Sequence, residues 1–481
     1  MKRELLLALD LGTTSVRALV MNGTGGTLAR AHRPLSINYP RPGWVEQDPE
    51  EMWERSVDVM REVLSAAEVE ARTLAGIGVV TQRATAVAWD ARTGAPLAPA
   101  VSWQDLRTSE RVEGFRKLGI PLSTLASATK FEWLLEHDPA VRKAASTGGL
   151  RLGTPESWLT SKLTGGSAHV TDPGNASCTA LYDVANGHWA DPLLKLFSVP
   201  AEVLPEIVAT SGVVGETPAA LLGAPVPVAA RAGDQQAAAF AQGVHAAGQA
   251  KLTLGTSAML DLHTGTELAE PGLGVYPLVL WRLADGTQAC CLEGTVITAG
   301  AAVDWLVGLG LASDAEAVNR LASEVPTSEG VTFVPSLQGL GTPFLDAGAT
   351  GLLGGMTRGT GVAQIARAVL EGVAQRCVDV CEALGLDDVA IRVDGGLARS
   401  EVLLQSLADL GGREVQRAAE TEATAVGAAQ LAGLATGVFA SPEACQSTVA
   451  STTSFAPVWD PARRAHARER WGQVLARARS G

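Results

Sequence analysis

Apolar residues in this chain come in short unbroken runs that stop on polar side chains. Residues 5–9 read Leu-Leu-Leu-Ala-Leu and stop on Asp10. A Gly12-Thr13-Thr14-Ser15 turn follows, and a second β-type run, 16–21, leads away. The pattern predicts a β-hairpin over 5–21 with a carboxylate and small hydroxyl residues at its tip. Further short strands are predicted over 76–80, delivering Thr81-Gln82-Arg83-Ala84, over 85–89, and over 100–103, delivering Gln104-Asp105. Another, 226–231, runs into Ala232-Gly233-Asp234-Gln235-Gln236, and an Ala-rich helix over 235–242 starts directly behind it. Strands that end on polar residues place a site along one edge of a sheet. Helices are predicted where the period changes. Asp48-Pro49-Glu50-Glu51 opens one, with Asp as cap, Pro in the first turn and Glu three residues after the cap. Residues 107–165 read as helical, with a second capped start at Thr154-Pro155-Glu156-Ser157. Ile365, Val369, Val373, Cys377, Val380 and Leu384 repeat at helical spacing over 361–384, a core face. The 455–481 tail reads as a mixed polar helix.

The second half echoes the first. Residues 250–265 (AKLTLGTSAMLDLHTG) again read strand, Gly-Thr-Ser turn, strand. The Ala-rich helix 235–248 (QQAAAFAQGVHAAG) has an analogue in 426–437 (VGAAQLAGLATG), and 389–396 (VAIRVDGG) echoes 228–235 (VAARAGDQ). Three echoes in one order predict a duplicated α/β unit with a cleft between the copies.

At 481 residues, with 46% hydrophobic content, the chain is long enough for two or three cores. A net charge of −13 and the lack of any Lys/Arg block argue against nucleic acid or an anionic membrane as partner. The five-residue apolar run before Asp10 is too short for a signal peptide or a membrane span. The six Cys show no CxxC pair and no metal spacing, so a cytoplasmic protein with reduced thiols is expected.

Phosphoryl transfer asks for positioning, charge neutralisation and a base for the attacking hydroxyl. Gly12-Thr13-Thr14 and Gly255-Thr256-Ser257 are two polar turns able to grip phosphate from opposite domains, and neither is a Walker A loop. Asp10 at a strand end is placed to hold Mg²⁺, often through water. Asp234, at a strand-to-helix junction, is the candidate general base and pairs with Asp10. Arg83 can fork onto two hydroxyl groups. Trp44 and Trp103 can wall the C–H face of a sugar. Asp394-Gly395-Gly396, with Ser400 behind it, is a turn on which a base or ribose can lie.

Taken together, these stretches resemble the FGGY carbohydrate kinases, and within them the branch that phosphorylates glycerol, over about residues 5–440. The resemblance is carried by LDLGTTSVR (9–17), RPGWVEQDP (41–49), TQRATAVAWD (81–90), SWQDLRT (102–108), HVTDPGNAS (169–177), AGDQQAA (232–238), LGTSAML (254–260), LEGTVITAGAAVDWL (292–306) and RVDGGLARS (392–400), in the family's order and approximate spacing. It implies an α/β, duplicated actin-like fold of two RNase H-like domains flanking a nucleotide cleft. Residues 1–245 would carry substrate and base, and residues 246–481 the nucleotide. It implies ATP and Mg²⁺, with Asp234 as base and Asp10 and Asp234 as the carboxylates near the metal. Gly12, Thr13, Thr14 and Arg17 match the first phosphate motif, Gly255 and Thr256 the second, and Gly300 and Gly396 nucleotide contacts. Arg83, Trp103, Asp234 and Gln235 match substrate positions. A homodimer or homotetramer is the assembly the family suggests.

The chain also departs from the pattern. Arg83 is followed by Ala84 where the glycerol branch has Glu. Leu125 replaces a substrate Tyr, Met259 an aromatic wall, Asp304 a Gln near the nucleotide, and Ser400 an Asn. The departures at 84, 125 and 259 predict a larger, less polar acceptor pocket. The expected activity is ATP-dependent phosphorylation of a terminal hydroxyl of a small polyol, glycerol first. The alternative is another polyol or a ketose, such as a pentitol, tetritol or ketopentose. A non-catalytic sugar sensor on the same fold is the third reading, and Asp10 and Asp234 speak against it.

Overall fold

The computed structural model describes residues 3–120, 122–386, 389–418, 422–446 and 453–479. The first apolar run forms the predicted hairpin. Strand β1 (Leu5–Leu11) pairs antiparallel with β2 (Ser15–Met21), with Asp10 opposite Arg17. From Leu6 onward every residue of β1 is buried, which is why the run does not alternate: helices cover both faces of the sheet. The sheet continues with β3 (Thr27–Pro34), helix α1 (Pro49–Ala66) on one face, β4 (Leu74–Thr81), β5 (Ser211–Glu216) and β6 (Pro227–Gly233), which runs straight into α2 (Asp234–Ala241). The strand order is β5-β6-β4-β1-β2-β3, with β1, β4 and β6 parallel and the other pairs antiparallel. Asp48 caps α1 as expected, accepting the Glu50 N–H at 2.9 Å, while Glu51 binds the backbone and hydroxyl of Ser36.

Two expectations need correction. The 107–165 stretch is not helical throughout. Helices Ser109–Lys117, Ser127–His137, Pro139–Ser146 and Pro155–Leu163 are interrupted by strand Leu150–Gly153, which pairs with Val87–Asp90. Leu150 and Leu152 are buried there and Arg151 between them is not, an alternation of period two. The Ala-rich helix stops at Ala241, ahead of Gly243, and does not reach 248.

The second sheet holds β7 (Ala250–Leu254), β8 (Ala258–Gly265), β9 (Tyr276–Arg282) and β10 (Gln288–Val296). Helices α3 (Gly300–Gly308) and α4 (Val362–Ala383) follow, then β11 (Ile391–Asp394), α5 (Glu401–Gly411), β12 (Val415–Arg417), α6 (Ala423–Thr436), β13 (Thr453–Phe455) and α7 (Pro461–Arg479). The predicted tail helix begins only at Pro461, because Phe455 belongs to β13, and its residues 480 and 481 lie outside the described residues. The strand order is β9-β10-β8-β7-β11-β12-β13. Set β9 aside and the two sheets agree strand for strand in order and direction: a hairpin and third strand, then two parallel strands, then an antiparallel edge. The duplicated α/β unit is therefore present. One echo joined unlike strands, however: β11 occupies the place of β4, and the counterpart of β6 is β12.

Helices α2 and α6, the two Ala-rich segments, follow β6 and β12 and pack directly on each other. Their composition follows from that contact. A Cβ on Gly427 would stand 1.9 Å from the Ala237 carbonyl oxygen, so only a residue without a side chain allows this approach. Helix α6 also lies across β1, β4 and β6 of the first sheet. One buried cluster thus joins the lobes, from Leu6 and Val80 through Phe240 to Trp281 and Leu431. No helix among the described residues is long and apolar enough to cross a membrane.

Candidate active site

Both hairpin tips open into one cavity of about 570 Å³ between the lobes. The first tip supplies Asp10, Gly12, Thr13, Thr14 and Arg17, and the second supplies Gly255 and Thr256. Each turn is closed by a backbone bond from its glycine N–H, to the Ser15 carbonyl three residues on at 3.0 Å and to the Ser257 carbonyl two residues on at 2.9 Å. The acceptor-side positions Arg83, Ala84, Trp103, Leu125, Asp234, Gln235 and Met259 line the same cavity.

Local structure explains each placement. Asp234 is the first residue of α2, at the end of buried β6, so its carboxylate stands beside open helix N–H groups. Its Oδ1 accepts from the Gln235 N–H at 2.8 Å and lies 3.3 Å from Arg83 Nε. Both contacts fall on Oδ1, and the residue lines the cavity. Arg83 follows β4 and leads into Ala84, whose φ of 60° is an uncommon conformation for a residue with a side chain. Its Nη1 lies 2.7 Å from Glu293 on β10, across the cleft. Trp103 Nε1 donates to Thr13 Oγ1 at 3.0 Å, tying the first turn to the acceptor wall. Leu125 is fixed through its backbone: buried Lys130 donates to the carbonyls of Thr124, Leu125 and Ala126 at 2.9–3.1 Å.

Asp10 is buried beneath the first turn. Burial pushes its carboxyl up to about 7, Arg17 pulls it down, and Asp234 and Glu422 add to the rise. Arg17 Nη1 lies 3.5 Å from Asp10 and 3.6 Å from Glu422 of the second half. Among the described residues no group of three or more His, Cys, Asp or Glu forms a metal cage.

Four nucleotide-side positions stand outside the cavity lining, around the end of β7. Gly300 packs the start of α3 onto the second turn, and its N–H donates to the Gly255 carbonyl at 2.9 Å. Asp304 is exposed one turn further along α3. In the 394–400 turn the tight position is Gly395, where a Cβ would meet the Leu254 carbonyl oxygen at 2.4 Å. Gly396 beside it faces open space. The Ser400 hydroxyl caps α5, accepting the Leu403 N–H at 3.2 Å. Trp44 is not a cavity wall: Arg107 lies over its ring at 3.8 Å and Trp133 meets it edge to face.

Glu293, Tyr276 and Cys178 also line the cavity and were given no role from the sequence. Burial pushes the Cys178 thiol up to about 11, so it stays protonated. Burial likewise pushes Glu293 up to about 7, against the pull of Arg83 and with a push from Asp261. The available signal for Glu293 was a lone charge inside an apolar strand, Cys290-Cys291-Leu292-Glu293.

Comparison with known proteins places this geometry. The model for the FGGY family of carbohydrate kinases, N-terminal domain, matches residues 5–241, and that for its C-terminal domain matches residues 250–436. The glycerol kinase of Aromatoleum aromaticum is 44% identical over 98% of both chains. That of Deinococcus radiodurans is 41% identical over 99% of this chain and 98% of its own. Among solved structures, Plasmodium falciparum glycerol kinase with ADP superposes with a TM-score of 0.92 at 26% identity, covering 99% of this chain and 98% of that one. A xylulose kinase from Rhodospirillum rubrum gives 0.83 at 27% identity, covering 98% and 97%.

Proposed function

As the chain belongs to the FGGY family of carbohydrate kinases, we propose that it transfers the terminal phosphoryl group of ATP to a terminal hydroxyl of a small polyol, glycerol first. The observation that carries this reading is that two like phosphate turns, one from each lobe, share a single cavity with Asp234, Arg83 and Gln235. Asp234 Oδ2 takes the proton of the acceptor hydroxyl as its oxygen bonds to phosphorus and the bond to the leaving ADP breaks. Gln235 receives a bond from Lys251 on its Oε1 at 2.6 Å, which leaves its amide nitrogen to donate to that hydroxyl oxygen. Arg83 adds donors for the remaining hydroxyls, and Trp103 a flat wall. On this reading the nucleotide base would lie beside α3 and the 394–400 turn, near Gly300, Asp304, Gly396 and Ser400, the positions the family pattern implies.

Asp10, a buried carboxylate at the first turn, fits Mg²⁺, with Asp234 as the second carboxylate near by. Mg²⁺ characteristically takes one or two carboxylates together with substrate phosphates and waters. When bound it supplies neutralising charge to the phosphoryl oxygens.

A second reading, a larger polyol or a ketose, is favoured by Ala84, Leu125 and Met259, which give the acceptor wall no charged or hydroxyl group. Both readings are tested by ADP release and product formation with glycerol, tetritols, pentitols and ketopentoses. Glycerol is expected to give the highest kcat/KM, and Asp234→Asn to lower kcat by roughly 10²–10⁴-fold. An acceptor outperforming glycerol by more than about tenfold, or 1.4 kcal/mol, selects the second reading. Full activity in Asp234→Asn removes its role as base.

A further inference from the structure

Strand register lines up four charged residues across the second sheet. Arg392 on β11 is opposite Lys251 on β7, Lys251 is opposite Asp261 on β8, and Asp261 is opposite Glu293 on β10. Directly opposed residues share one face, and here that face meets the first lobe. The Arg392 guanidinium donates to the Gly243 carbonyl. Lys251 Nζ donates to Gln235 Oε1 at 2.6 Å and lies 3.1 Å from Asp261. Glu293 lies 2.7 Å from Arg83. Lys251 and Asp261 are 0% and 1% exposed.

In formal charge the order is positive, positive, negative, negative, and burial together with neighbouring Asp261 pushes the last carboxyl, Glu293, up to about 7. Stability alone favours alternation, because like charges directly opposed in a sheet repel, and each buried ion costs several kcal/mol to desolvate. Across the cleft Arg83 faces Glu293, and the Gly243 carbonyl and Gln235 amide oxygen accept from Arg392 and Lys251, so the row is complete only when the lobes are docked. Lys251 and Asp261 also lie on the two strands that the Gly255-Thr256-Ser257 turn joins. Their positions therefore fix the second phosphate turn relative to Gln235 and Arg83. Lys251 has no acceptor, so it holds the Gln235 amide with its oxygen away from the substrate and its nitrogen toward it.

On the kinase reading above, we propose that Lys251, Asp261 and Glu293 form a positioning row. It registers the second phosphate turn against the acceptor site, setting the Gln235 amide through Lys251 and the Arg83 guanidinium through Glu293. Without Lys251 the amide is free to turn its oxygen to the acceptor hydroxyl, where it competes with Asp234 for the proton.

The test is the double variant Lys251→Met/Asp261→Leu, which removes one charge of each sign at similar volume. It is measured for Tm, for kcat, for both KM values, and for ADP released per phosphorylated glycerol. Apolar replacement of a buried pair is often neutral or stabilising, so Tm is expected to hold. The KM for ATP is expected to stay within about twofold while kcat falls roughly 10–100-fold, the scale of small misplacement, and ADP release outruns product. Glu293→Gln, a neutral isostere, is expected to show the same split at about tenfold, and it decides the matter if the double variant does not fold. Unchanged kcat and unchanged coupling in a folded variant overturn the positioning row while leaving the kinase reading intact. A wild-type chain that phosphorylates no polyol removes the kinase reading and the row's role with it.

Discussion

Asp234 and Asp10 differ in what surrounds them, and that difference separates their tasks. Asp234 lines the cavity and holds Arg83 and the Gln235 N–H on one oxygen. Among the described residues no backbone donor meets Asp10, and its burial pushes the carboxyl up to about 7 from an ordinary 3.8. A carboxyl whose pKa is higher in the folded than in the unfolded chain lowers stability as pH rises between the two values. Without a cation, the ionised form therefore imposes a cost that is absent below about pH 4 and complete above about pH 7. Asp10→Asn removes it. The expected outcome, in metal-free buffer, is a Tm above wild type at pH 8, worth at most a few kcal/mol, and a gain that vanishes at pH 4. A gain of equal size at both pH values would contradict this account. Added Mg²⁺ and ATP should then stabilise wild type and not the variant.

The hairpins were the most legible elements. A strand run, a Gly-Thr-hydroxyl turn and a second run appear twice, the first with Asp10 ahead of its turn, and both fold as read. So did Asp234 at its strand-to-helix junction, because a strand signal and a helix signal met there without a gap. Strand Leu150–Gly153 was hidden because four residues carry too little periodicity to compete with the helices on either side. The contacts of Glu293 and Lys251 were hidden because their partners Arg83 and Gln235 come from the other lobe, which no local pattern reports. Gly300 shows how the elements meet. A Cβ there would stand 2.7 Å from the Gly255 carbonyl oxygen and 3.3 Å from Thr256 Cα, so Gly300→Ala should shift the second turn. The expected effect is a roughly tenfold higher KM for ATP, about 1.4 kcal/mol, with the acceptor KM unchanged. Steady-state rates at varied ATP check it, and a wild-type KM for ATP refutes it.

The whole molecule is two like sheets joined through a pair of Ala-rich helices whose backbones nearly touch. Side chains barely interdigitate at such a contact, so it admits small sliding motions of one lobe over the other of the shear type. It does not admit added bulk. Gly427→Val would drive a branched side chain at the Ala237 carbonyl and is expected to cost about 1–3 kcal/mol as overpacking. The measurement is a melting curve, and a Tm equal to wild type would show that the helices separate freely. Helix α6 has another consequence, for synthesis. Leu6, Ala8, Val80 and Ala229 of the first sheet share a buried cluster with Ala425, Ala428 and Leu431. The amino-terminal half leaves the ribosome first, yet the part of this sheet face that α2 does not cover stays bare until α6 has been translated. The newborn half is then a sticky intermediate rather than a finished domain, and a messenger truncated before α6 yields a product bound for aggregation or holding chaperones.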